Sequence, residues 1–380
     1  MILDRRQFVS LASGLLGNSL FAVAGNAGNN SQLYLSAASD AQNRHWVIGF
    51  SENELTVSEK FRHQLPARAH HIATHEALGV YIVIARRPGN YLWVGDLTTG
   101  SKLGEFTVPD DRHLYGHGVF TRDGSRFFTT ENAWQMVKGD GGRIAVWSVT
   151  RDGRSVTMTR DLEFPSYGTG PHELLLKEDA KVLVVANGGI RTHPDSGREM
   201  LNLESMQPSL AYIAVRDGQL LEQHFLKSDF HRASIRHLDI NEHGQVVMGM
   251  QFHGEPFERV PLLATHEQGQ SLRPLYAPNF EQGQMAQYVG SVRYDLSGRY
   301  FAASSPRGNI ITFWDAESGA MLDSVRSRDG CGICATSNGF LFTAGTGRLS
   351  WYDLESNKLS SLDTDISKVF WDNHLSIVAV

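Results

Sequence analysis

The chain has 380 residues, of which 41% are hydrophobic and 20% charged, with a formal net charge of −6 and sixteen histidines against two cysteines. That balance fits an ordinary globular protein and lacks the basic footprint of a nucleic-acid binder. Two cysteines give no disulfide framework, so the histidines are the one compositional oddity.

The N-terminal segment reads Asp4-Arg5-Arg6-Gln7-Phe8-Val9, then a mild apolar run from Leu11 to Val23 diluted by Gly14 and Gly17, with Ala22-Val23-Ala24 at its end. Paired arginines, a phenylalanine two positions on and a small-residue cleavage site resemble a twin-arginine export signal. The run is too short and glycine-rich to span a bilayer. Residues 1–24 are therefore expected to be a signal peptide. The mature chain, 25–380, is expected to be one periplasmic domain with no membrane span.

From Leu33 onward, short β-rich runs alternate with turns and no long helical period appears. One unit recurs. His70-His71-Ile72-Ala73 leads through Gly79 to Val80–Ile84 and then to Arg86-Arg87. His117 leads through Asp123-Gly124 to Glu131, His172 to Asn187, and His237 through Gly244 to Gln251. Ser291 leads through Gly298 to Ser305 and Arg307, and Cys331 through Gly339 to Gly345. From His117, His237, Ser291 and Cys331 to these end points the separation is 14 residues each, and from His172 it is 15. A third strand with an aromatic follows, as at Trp93, Trp147, Trp314 and Trp351, and then a more polar fourth. Four strands at a period of roughly 40–55 residues is the signature of propeller blades. Six copies follow residue 70. The seventh is predicted from both termini, with His374–Ala379 as first strand and the segments from Leu33, His45 and Leu55 as the other three. The fold is predicted to be all-β, a seven-bladed β-propeller closed by pairing of the N- and C-terminal strands.

In a propeller, the residue opening each inner strand and the loop after the second strand lie on one face. His70 or His71, His117, His172, His237, Ser291, Cys331 and His374 should therefore ring one channel mouth. Long loops at 131–143, 187–209 and 251–266 should rim it, bringing Arg86, Glu131, Asn187, Gln251 and Arg307 nearby. Converging imidazoles and a thiol suit iron, copper or zinc, or a haem. Cys334 is three residues from Cys331 and points to the opposite strand face, so it reads as core. The segment 187–209 is too long for an ordinary blade loop and is expected to fold across the mouth. His193 and Arg198 would then cap the site, hold an anion, or simply anchor the loop.

Gly116-His117-Gly118-Val119-Phe120, Thr130-Glu131-Asn132, Gly170-Pro171-His172-Glu173-Leu174, Thr192-His193-Pro194-Asp195, Ser305-Pro306-Arg307-Gly308 and Trp371-Asp372-Asn373-His374 together resemble a bacterial family of twin-arginine-exported proteins of unknown function. The resemblance implies a seven-bladed propeller. It also implies genes beside imelysin-type proteins and a di-haem oxidoreductase, and so a periplasmic role in metal handling. The ring of histidines is also similar to that of the nitrous oxide reductase propeller, although Ser291 and Cys331 interrupt it. Three functions follow as expectations: a metal- or haem-binding propeller for metal acquisition, a docking platform for periplasmic metal-uptake partners, or a lactonase-like hydrolase with Glu131 or Glu173 as general base.

Overall fold

The computed structural model describes residues 32–380 apart from 54–55, 136–140, 178–180, 198, 367 and 379–380. The expected signal peptide at 1–24 and Arg198 lie outside the described residues. Seven antiparallel sheets follow one another around a ring. Blade 1 is formed by Ala69–His75, Val80–Ala85, Tyr91–Asp96 and Lys102–Thr107, and blade 2 by His113–Phe120, Arg126–Asn132, Gly142–Asp152 and Ser155–Pro165. Blade 3 runs from Pro171–Leu176 to Leu220–Phe225, blade 4 from Ala233–Ile240 to Arg273–Leu275, blade 5 from Ser291–Tyr294 to Met321–Arg326, and blade 6 from Gly330–Thr336 to Lys358–Ser361. Among the described residues no helix is long and apolar enough to cross a membrane.

The closure follows the sequence reading. Phe370–Val378, near the C-terminus, is the inner strand of blade 7 and pairs with Leu33–Ser39, near the other end of the chain. His45–Asn53 and Thr56–Leu65 complete that blade, and Asp363–Thr364 adds a short parallel strand outside it. The two ends thus hold each other, and blade 7 is completed by strands from both ends of the chain.

Burial explains the strand types. Each sheet packs face to face on two neighbours, so the middle strands are apolar on both sides: Val80–Ala85 and Tyr91–Asp96 are buried throughout. Each such aliphatic side chain contributes about 1.5–3 kcal/mol. The outer strand Lys102–Thr107 is only partly buried and mixes polar with apolar residues. Third-strand tryptophans fill the wedge between blades and keep their indole N–H satisfied, Trp147 by donating to Thr129 Oγ1 at 3.0 Å and Trp314 to Thr312 Oγ1 at 2.8 Å. The opposite turns are tight. At Asp123-Gly124, glycine takes φ +71° and the aspartate accepts from Ser125 N at 3.1 Å. Both cysteines are free and buried, and Cys334 packs in the core between blades 6 and 7, as expected.

Candidate functional site

The histidines do not open their strands. They sit inside them, in or directly beside breaks in the inner-strand ladder. In blade 1, Ala69 pairs with Ala85 and Ile72 with Val83, so His70 and His71 together oppose one residue. In blade 2, Tyr115, Gly116 and His117 occupy a break between Leu114 and Gly118. His172 and Glu173, Arg236, Cys331 and Gly332, and Asp372 to His374 occupy equivalent breaks in blades 3, 4, 6 and 7. Only blade 5, at Ser291–Tyr294, runs without a shift. A bulge leaves residues out of the ladder and re-aims their side chains, here toward the axis. Gly116 makes one break possible: its φ is +106°, and a Cβ there would meet the His70 ring at 2.6 Å.

Six imidazoles converge as a result. Ring centroids of His117 lie 4.9 Å from His70, 5.1 Å from His71, 5.1 Å from His172, 5.9 Å from His237 and 4.6 Å from His374. Two sets offer nitrogens all within 4.8 Å of one another: His70, His117 and His172, and His117, His237 and His374. His117 belongs to both. The choice between His70 and His71 resolves into both. His70 lines the mouth cavity, whereas His71 faces a second chamber on the other side of the cluster.

Two buried carboxylates stand behind the rings. Asp372 Oδ1 lies 3.5 Å from His70 Nδ1. Glu173 lies 3.5 Å from Nδ1 of His117 and 3.4 Å from Nδ1 of His237, within ion-pair range but without hydrogen-bond alignment. Its Oε2 instead accepts from Leu238 N at 3.0 Å. Carboxylates behind imidazole Nδ1 atoms orient the rings of metal-binding histidines. Burial, joined by repulsion from neighbouring imidazoles, holds His117, His172 and His374 well below the usual histidine range. Burial likewise holds His70 and His71 at about 4. All are neutral at pH 7, the form that coordinates metals.

These rings are also unsatisfied. His117 and His374 have both nitrogens buried without a partner, and His71, His172 and His237 each have Nδ1 in that state. A buried ring nitrogen with no partner at all costs about 1–3 kcal/mol. Orphans of this kind are what a bound ion or ordered water satisfies.

The mouth holds a cavity of about 540 Å³ lined by Arg86, Arg87, Arg236, Arg307, Gln251 and the edges of His70 and His172, among others. Ile190 and Met200 also line it, so the 187–209 segment does reach over the mouth.

Other expected site residues lie elsewhere. Glu131 is fully buried and bonded to Thr129 Oγ1 at 3.0 Å and Arg160 at 2.7 Å; burial pushes its carboxyl up against the pull of Arg160. Its carboxylate is engaged in that buried pair. Asn187 donates to Ser166 O at 2.8 Å inside blade 3. Ser291 is buried in the unshifted strand and does not line the cavity. Cys331 joins neither imidazole set: its thiol donates to Asp372 O at 3.1 Å, and burial raises its pKa to about 12. His193 packs edge to face against Trp134 and accepts from Asp195 N at 3.2 Å, so it anchors its loop. Sequence reasoning gave no role to Asp372 or Arg236, which lie two residues before His374 and one before His237.

No curated protein matches the sequence. Among solved structures the chain is similar to a candidate 6-phosphogluconolactonase from Bacteroides uniformis (TM-score 0.64, 14% identity, covering 92% of this chain and 100% of that one). It is also similar to the periplasmic gluconolactonase of Pseudomonas aeruginosa (TM-score 0.59, 15% identity, 92% and 99% covered). At such identities the likeness shows the propeller fold alone. A family model described as a protein of unknown function matches residues 63–378, and the chain therefore belongs to that family, DUF1513.

Proposed function

We propose that this propeller is a metal-binding protein whose axial imidazoles hold a transition-metal centre. The observation that carries this is the convergence of six neutral imidazoles with seven buried ring nitrogens left without partners. Imidazole-only donors suit copper, zinc or iron rather than calcium or magnesium. With rings about 5 Å apart, the cluster has room for ions and none for a haem macrocycle among the side chains. His117 and His374 would be central ligands, His70, His172 and His237 their partners, and Asp372 and Glu173 the groups that orient them. The twin-arginine-like start supports a periplasmic setting, and the role we infer there is acquisition or delivery of the metal, with other periplasmic metal-uptake proteins as partners.

Elemental analysis of protein exported in metal-replete cells tests the reading. Wild type should carry near-stoichiometric metal, and His117→Ala, which breaks both ligand sets, should lose it at least tenfold. Metal-free wild type would end the proposal.

A lactonase reading is favoured by the likeness to gluconolactonase propellers and by a cationic cavity that suits acidic sugars. Neither base expected from the sequence is free for it, because Glu131 is paired with Arg160 and Glu173 lies behind the imidazoles. Turnover of a sugar lactone by metal-free protein would revive it.

A further inference from the structure

The mouth cavity has a chemistry of its own. Four guanidiniums line it, from Arg86, Arg87, Arg236 and Arg307, against one lining acid, Asp329. Arg86 is partly neutralised, since its Nη1 donates to Asp372 Oδ1 at 2.8 Å. Arg236 is not. It is the bulged residue before His237, its Nε is buried without a partner, and it makes no salt bridge to any described carboxylate. Arg307 stacks over the Tyr288 ring at 4.9 Å and likewise has no described acidic partner. His253 adds a buried Nε2 with no partner to the same wall.

Like charges held together beside a cavity raise the energy of the empty protein, and an anion relieves it. Guanidinium forks match carboxylate and phosphate oxygens in pairs, and the cavity's volume lies in the range of small-ligand sites. From this charge pattern and shape we infer that the mouth cavity binds a small multivalent oxyanion, carrying carboxylate or phosphate groups, anchored by Arg236 and Arg307 and seated over His70 and His172. The anion site stands on the cavity itself. That its oxygens meet a metal rests on the metal reading, since His70 and His172 belong to both the cavity wall and the imidazole cluster.

Titration calorimetry of metal-free and zinc-loaded protein at low ionic strength, with tricarballylate and with inorganic phosphate as probes, tests the site and separates the two oxyanion classes. Wild type is expected to bind at least one probe with a stoichiometry of one in the metal-free state. Arg236→Gln and Arg307→Gln should each weaken binding at least tenfold with metal content unchanged, while Arg216→Gln, on an exposed turn, should bind as wild type. Arg307→Gln carries the test if Arg236→Gln fails to fold. Wild type that binds neither probe, or variants that bind as tightly as wild type, would overturn the site. Because metal-free protein is used, a failure of the metal reading alone leaves this result intact.

Discussion

Replacing His374 with leucine is expected to stabilise the metal-free protein and to abolish its metal retention. His374 is only 3% exposed, both its ring nitrogens lack partners, and its ring lies 4.6 Å from those of His70 and His117. Leucine has similar volume and no polar atoms to strand, so the substitution removes two buried orphans without opening a cavity. The gain should be about 2 kcal/mol in denaturant unfolding of chelated protein. The same change removes a member of one ligand set, so the rise in Tm that metal gives wild type should disappear. A purely structural histidine predicts the opposite sign, a destabilised variant. Acid sharpens the contrast. Unfolded imidazoles take up protons below about 6.5, whereas His70 and His71 do so only near 4. The unfolded state therefore binds more protons in that window, and metal-free wild type should lose stability as pH falls from about 6.5 toward 4. His374→Leu removes one such group and should flatten that slope.

Asp372→Asn is expected to act in the other direction. The carboxylate is buried and accepts from Arg68 Nε at 2.5 Å, Arg86 Nη1 at 2.8 Å and Asn373 N at 2.8 Å, with His70 Nδ1 at 3.5 Å. Burial pushes its carboxyl up, but His70, Arg86 and Arg68 together hold it well below the usual carboxylate range. Removing one partner of a buried ion pair costs about 3–5 kcal/mol; because Arg68 and Arg86 both reach solvent, about 3 kcal/mol is expected here. His70 would also lose the group that sets its ring, so metal affinity should fall by about 10–100-fold. Unfolding curves and metal titration on one preparation check both effects. Unchanged metal affinity in a destabilised variant would confine Asp372 to the structure.

Much of the fold was legible because blades repeat. The apolar runs at Val80–Ala85 and Val182–Asn187, with glycine turns at positions such as Gly124, mark pairs of strands whose spacing is constant to within a residue. Pairing of Leu33–Ser39 with Phe370–Val378 was readable because each end held an incomplete blade. The site was legible in its histidines, since they recur in register with those strands. It was not legible in its details, because bulges break the alternation from which side-chain direction is read. Alternation allows only one of His70 and His71 to face inward, yet the bulge turns both. It brings Glu173 behind the rings of His117 and His237, beside its neighbour His172. Cys331 occupies the same place in its blade, but its thiol turns to the Asp372 carbonyl. The four arginines of the mouth come from three blades, and no spacing in the chain announces their meeting.

The central claim, that the axial imidazoles bind metal through nitrogen, is tested most directly by X-ray absorption at the metal edge on loaded protein. The expected result is a first shell of at least three imidazole nitrogens at about 2.0–2.1 Å, lost in His117→Ala. A shell dominated by oxygen or sulfur, or a spectrum unchanged by His117→Ala, would contradict it.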